Sequence, residues 1–201
     1  MDNPLHPAEV RVLGALIEKE STTPEYYPLT LNSLVAACNQ KSNRWPVTEY
    51  DEGEVMTALD GLRARGFAAS ITGGSRVTKY AQRFTEKLNL GRRETAILCV
   101  LMLRGQQTPG EIKGRTERIY SFSDLDETET VLQKMIDGDL VQKLAPAAGM
   151  KEARFTHTFG GVLDQPVAEQ RVDRISALEA EVSRLREEVA DLRRRLDEVL
   201  S

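Results

Sequence analysis

The sequence predicts a mainly α protein with small β-hairpins, an α+β class, and three observations predict it. Residues 54–84, EVMTALDGLRARGFAASITGGSRVTKYAQRF, read as an amphipathic helix running straight into a hairpin. Residues 128–159, TETVLQKMIDGDLVQKLAPAAGMKEARFTHTF, read the same way. Residues 162–201 read as a linker and one heptad-patterned helix. A third helix feeding a two-stranded wing, twice over, is the pattern of tandem winged-helix units. They are expected at 1–90 and 91–161, with a coiled-coil dimerisation helix after them. Many functions share that scaffold, so the fold alone names none.

The first helix is expected over Pro7–Glu20, with Val10, Leu13, Leu16 and Ile17 on one face. Pro7 suits a first turn, where its missing N–H is not needed. STTPEYYP then breaks the helix. Thr30 should cap a short second helix that turns Leu31, Leu34, Val35 and Cys38 inward. The polar loop NQKSNRWP follows, and Thr48 and Asp51 read as a capping pair for the third helix. That helix should bury Val55, Ala58, Leu59 and Leu62 and stop at Gly66. Phe67–Thr72 and Arg76–Phe84 are the expected strands, with Gly73-Gly74-Ser75 as the turn.

The plan then repeats. Glu9–Leu16 aligns with Glu94–Leu101 at an offset of 85, and Ala58, Leu59, Leu62 and Phe67 align with Val131, Leu132, Met135 and Leu140 at an offset of 73. The first copy is therefore longer by 12 residues between its first and third helices, which TTPEYYP and NRWP accommodate. In the second copy Thr108-Pro109 opens the second helix, Asp124–Asp137 forms the third, and Leu140–Leu144 and Glu152–Thr158 are the strands around an APAAGM tip.

Gly160–Pro166 breaks the pattern before the tail. The expected seam is Ile175, Leu178, Val182, Leu185, Val189, Leu192, Leu196 and Val199. Centrally it carries β-branched residues at a and leucine at d, the combination that favours a parallel two-stranded coil. In that register Arg174 meets Glu179′, Glu181 meets Arg186′ and Glu188 meets Arg193′, all of opposite sign. The alternative is a solvated helix folded back on its own units. Arg171, at a d position, counts against extending the coil toward them.

Charge limits the choice of partner. The net charge is −4, so no overall field draws the protein onto nucleic acid. Residues 1–90 carry 10 basic and 11 acidic side chains, 91–161 carry 10 of each, and 162–201 carry 7 and 10, so no region is strongly basic. DNA-reading winged helices place the third helix in the major groove and hold phosphates with the wing and second helix. Candidate nucleic-acid contacts are Lys41, Asn43, Arg44, Arg76, Lys79 and Arg83 in the first copy. In the second they are Lys113, Arg115, Arg118, Lys143, Lys151 and Arg154.

The third helices argue the other way. Their leading turns carry Glu49, Asp51, Glu52 and Glu54 in one copy, and Asp124, Asp126, Glu127 and Glu129 in the other. Those acids stabilise the helix dipole and repel a phosphate backbone, so major-groove entry is disfavoured. The favoured function is a dimeric, DNA-associated regulatory or adaptor protein. The alternative is a protein-interaction module that uses the acidic third helices or the coiled coil.

Cys38 and Cys99 sit among apolar neighbours and read as buried thiols, too few for a metal site. No P-loop, G-x-G-x-x-G, G-x-S-x-G or H-E-x-x-H occurs, and His6 and His157 lie far apart, so no enzyme, metal or cofactor is expected. MDNPLHPAEV does not read as a leader, and no run reaches the ~18 apolar residues of a membrane span. A cytoplasmic protein without a membrane partner is expected.

Four strings carry a resemblance: TTPEYYPLTLNSLVAACNQKSNR at Thr22–Arg44, RVTKYAQRF at Arg76–Phe84, LRGQQTPGEI at Leu103–Ile112, and EARFTHTF at Glu152–Phe159. Through them the chain resembles the YceH-like family of bacterial proteins over nearly its whole length. The resemblance implies tandem winged-helix units and supplies no activity, catalytic residue, metal or cofactor.

Overall fold

The first helix, α1 (Pro7–Thr22), is enclosed on every side: each residue from Ala8 to Ile17 is buried. The computed structural model that places it describes residues 4–72, 77–146 and 152–160. Several expectations lie outside those residues: the turn Gly73-Gly74-Ser75, Arg76, most of the second hairpin tip with Lys151, and the tail with its seam and charge pairs. All described residues belong to one compact unit.

After α1 come a 3-10 turn (Pro24–Tyr26), β1 (Leu29–Thr30), α2 (Leu31–Cys38), α3 (Glu52–Ala64), β2 (Ala68–Ile71), β3 (Lys79–Gln82) and α4 (Phe84–Lys87). The second half runs α5 (Arg92–Arg104), α6 (Pro109–Thr116), α7 (Leu125–Asp137), β4 (Val141–Leu144) and β5 (Arg154–His157). Three helices followed by a hairpin therefore occur twice. The two antiparallel sheets have strand orders β1-β3-β2 and β4-β5. This is the α+β class expected from the sequence.

Local chemistry sets most boundaries. The Thr30 hydroxyl accepts from Ser33 N–H at the start of α2. Thr108 and Glu111 close a reciprocal capping box on α6, with Pro109 in its first turn. Gly66 follows α3 with φ +69, a left-handed conformation that glycine adopts without a Cβ penalty. The box on α3 is formed by Asp51 and Glu54, not by Thr48 and Asp51 as expected. The Thr48 hydroxyl is engaged elsewhere: it accepts from Arg11 at 3.1 Å.

The return strand of the first hairpin is shorter than expected. It ends at Gln82, and Phe84 opens α4. There Phe84 is buried edge-on against Phe67, with centroids 5.1 Å apart, and against Phe159, 4.9 Å apart. Strand β1 was not anticipated: its two residues pair with β3, Leu29 with Tyr80 and Thr30 with Lys79.

The two halves meet through their first helices. Gly14 of α1 lies so close to α5 that a Cβ there would stand 3.0 Å from the Leu103 side chain and 3.1 Å from the Met102 Cβ. From Ala96 to Leu103, α5 is also buried at every residue. That stretch of α5 is apolar all round, as expected of a core helix, whereas α1 also encloses Glu9 and Arg11. Val12, Leu13, Leu16 and Ile17 are completely enclosed, each worth ~1.5–3 kcal/mol relative to exposure. Trp45 N–H donates to the Leu103 carbonyl at 2.8 Å, and Leu5 N–H to the Phe159 carbonyl at 2.7 Å, so backbone bonds also join the halves.

Candidate nucleic-acid interface and an arginine-rimmed cleft

The acids at the third-helix starts are engaged at their own helices. Glu54 N–H donates to Asp51 Oδ1 at 2.8 Å, and Asp51 N–H donates back to Glu54 at 2.9 Å. On α7, Asp124 accepts from Glu127 N–H at 2.7 Å. The Glu127 carboxylate accepts from Ser123 N–H and the Tyr120 hydroxyl, both at 2.9 Å, and pairs with Arg93 at 3.0 Å. Ser123 N–H, then the Tyr120 and Ser123 hydroxyls and Arg93, hold this carboxyl below its ordinary range. Glu49, Glu52, Asp126 and Glu129 remain exposed, so both helix starts stay acidic.

The candidate cations divide by environment. Arg44 is a correction. It does not face solvent: its side chain is wholly buried, its two terminal nitrogens meet the Glu18 carboxylate at 3.1 and 2.6 Å, and it donates to the Ala37 carbonyl. The reason is the end of α2, whose last carbonyls have no helical partner. Arg44 takes Ala37, and buried Arg11 takes Cys38 at 3.1 Å and the Pro46 carbonyl at 2.6 Å. Arg154 also turns inward, meeting Glu111 and the Gln106 carbonyl at 3.0 and 3.1 Å.

The rest reach the surface to differing degrees. Lys41, Arg83, Arg118 and Lys143 are exposed, while Lys79, Lys113 and Arg115 are half-buried. Arg83 pairs with Glu86 at 3.1 Å, and Lys143 lies 6.0 Å from the Phe155 ring centroid. Lys79 sits on the central strand of its sheet, between Thr30 and Ile71.

Three candidates, Asn43, Arg115 and Arg118, come together at the rim of a cleft of about 280 Å³ between α1, α5 and α6. Arg104 completes that rim, and Cys99, Val100 and Leu103 form its apolar floor. Arg104 donates to the Asn43 side chain across the two halves. Burial, then the nearby charges of Arg115 and Arg44, pull its guanidinium below the ordinary arginine range. The sequence reading missed Arg104. Its signal was a basic residue in the last turn of α5, where a cation complements the helix dipole.

Glu18 also lines the cleft, but its charge is committed. Burial would push its carboxyl up, yet Arg44 and, at 3.3 Å, Lys19 outweigh that and hold it below the ordinary range. Arg115 lies 3.5 Å from Glu111, which Arg154 shares.

Both cysteines are buried free thiols, and burial pushes Cys38 up to about 12 and Cys99 upward as well. His157 is half-buried, with its Nδ1 enclosed and unpartnered among the described residues. Burial pushes its imidazole down to about 4. Among the described residues no three His, Cys, Asp or Glu side chains are grouped to hold a metal, and no helix is long and apolar enough to cross a membrane.

The family model described as "Protein of unknown function, DUF480" matches residues 5–150. A "UPF0502 protein" of Solibacter usitatus is 52% identical over 208 residues, covering 98% of this chain and 100% of the relative. A "UPF0502 protein" of Pelobacter propionicus is 50% identical, covering 98% and 97%. The "UPF0502 protein YceH" of Escherichia fergusonii is 46% identical, covering 96% and 94%. Similarity of this extent means that the chain belongs to the YceH-like UPF0502 (DUF480) family.

Proposed function

We propose that this protein is a non-enzymatic, DNA-associated regulatory or adaptor protein of the cytoplasm. In this reading residues 1–90 and 91–161 are winged-helix units, and the tail joins two copies in a parallel coiled coil. The units hold duplex phosphates with their hairpins and the segments after their second helices, and no base is read by a third helix.

One observation carries the reading: the division of charge between elements. The third-helix acids Asp51, Glu54, Asp124 and Glu127 are bound into caps. Lys41, Lys79, Arg83 and Lys143 lie on or beside the other elements, and none has a buried ion-pair partner among the described residues. A protein that neutralises phosphates in this way binds without sequence preference and releases counterions.

Fluorescence anisotropy on a random-sequence duplex at two salt concentrations tests it. Binding at low salt should collapse as salt rises. Reversing Lys79 and Arg83 to Glu should weaken it and lower the salt slope by about one unit for each lost phosphate contact. No binding at low salt, or equal binding by that variant, would overturn the proposed contact.

A second reading, a protein-docking module, is favoured by Leu125. This side chain is 43% exposed at the acidic start of α7. A partner joining a basic rim to an apolar centre would suit it.

A further inference from the structure

The cleft between α1, α5 and α6 holds more positive charge than its carboxylates can answer. Among the residues lining it and their ion-pair partners there are five cations: Lys19, Arg44, Arg104, Arg115 and Arg118. Against them stand Glu18, Glu111 and Glu117. Glu18 is taken by Arg44 and Lys19, and Glu111 is shared by Arg115 and Arg154. Only Glu117, one residue before Arg118, remains on the rim. Arg118 makes no ion pair among the described residues.

Arg104 is the telling member. It is drawn partly out of water, beside Arg44 and Arg115, and its hydrogen-bond partner is the neutral Asn43 side chain. Collecting like charges in a half-enclosed place is unfavourable unless an anion arrives to relieve it. Dipoles at the ends of α5 and α6 account for a basic residue in each last turn. They do not account for Arg118, which lies beyond α6, nor for the gathering of these residues around one concavity.

The shape and floor narrow the ligand. A volume of about 280 Å³ admits a small molecule and no folded partner. Cys99, Val100 and Leu103 offer an apolar wall deeper than the guanidinium rim. Planar guanidinium forks match the oxygens of a phosphate, and three of them suit its three terminal oxygens better than the two of a carboxylate.

We propose that this cleft binds a small organic phosphate, its phosphate group held by Arg104, Arg115 and Arg118 and its apolar part set against Cys99, Val100 and Leu103. Both halves of the chain line the site, Thr22 and Asn43 from the first and the arginines from the second. The bound ligand would therefore bridge the two repeats. The site uses none of the hairpin cations, but it shares Asn43, Arg115 and Arg118 with the segments set against duplex phosphate above, so the two assignments compete at those residues alone.

Calorimetric titration of the full chain with phenyl phosphate, inorganic phosphate and phenol tests it. Phenyl phosphate should bind best, inorganic phosphate more weakly, and phenol not at all. Arg104→Gln and Arg118→Gln should each weaken phenyl phosphate about tenfold or more, and Lys143→Gln should leave it unchanged. Arg118 is exposed and unpaired among the described residues, so its variant keeps the test open should Arg104→Gln fail to fold.

Absence of phenyl phosphate binding at millimolar concentration would overturn the proposal. So would equal affinity in Arg118→Gln, or an equal loss in Lys143→Gln. A duplex oligonucleotide that displaces phenyl phosphate in an Arg118-dependent way would assign the cleft to a nucleic-acid backbone and overturn the small-ligand site.

Discussion

The Cys99 thiol donates to the Gly14 carbonyl at 3.7 Å, and the two residues are 85 apart in sequence. That spacing is the offset that superimposes the first helices of the two repeats, so equivalent positions of α1 and α5 touch each other. Gly14 permits the approach by having no side chain, and Cys99 fills the space with a small, inert one.

Enlarging Gly14 should therefore separate the halves. Alanine would gain ~1 kcal/mol of helix propensity against the contact at 3.0 Å. Valine adds further methyl groups to the same tight place. Gly14→Val is expected to destabilise the fold by ~1–3 kcal/mol, read as a lower denaturant midpoint. An unchanged midpoint would mean that α1 and α5 do not pack as closely as described.

Arg44 and Glu18 form the most enclosed ion pair described. Their side chains are 0% and 14% exposed. Removing one partner of such a pair costs ~3–5 kcal/mol, because the other charge is left without an answer. Arg44→Ala should lose stability on that scale, and Glu18→Gln less. The pH dependence has a definite sign. Glu18 has its folded-state pKa held below the ordinary 4.5, so its stabilisation is present above that value and is lost as pH falls through the folded one. Glu18→Gln should flatten the acid limb of a stability–pH curve below about 4.5.

His157 gives a second window at higher pH. Its imidazole is lowered from 6.5 to about 4 by burial. The unfolded chain takes up the proton first as pH falls, so stability is complete above 6.5 and is lost between 6.5 and about 4. The loss is roughly 2 kcal/mol once partial exposure of the ring is allowed for. Chemical denaturation of His157→Gln beside the parent, across that window, isolates the contribution. An imidazole NMR midpoint near 6.5 in the folded protein would contradict it.

The tail makes a prediction that rests on the sequence alone. Leu185 is a central d position of the heptads. Leu185→Asp puts a carboxylate in the expected seam and should halve the mass seen by sedimentation. If the mass does not move, the parallel coiled-coil dimer is wrong.

What the sequence determined by itself is mostly local. Thr30, Thr108-Pro109 and Gly66 mark helix ends because a cap or a left-handed residue acts on backbone groups within a few positions. The doubled three-helix-and-hairpin order was legible for the same reason: its apolar spacing is written within each element. Tertiary structure decided what depends on distant partners. The all-round burial of α1 follows from α5, which covers the face that periodicity in one helix leaves open. Strand β1 is two residues long and exists only because β3 lies beside it. Arg44 turns inward because Glu18, 26 positions earlier, and the open end of α2 await it. The cleft belongs to no segment at all: it forms where helices from both repeats end together, and only packing brings Asn43 to Arg104.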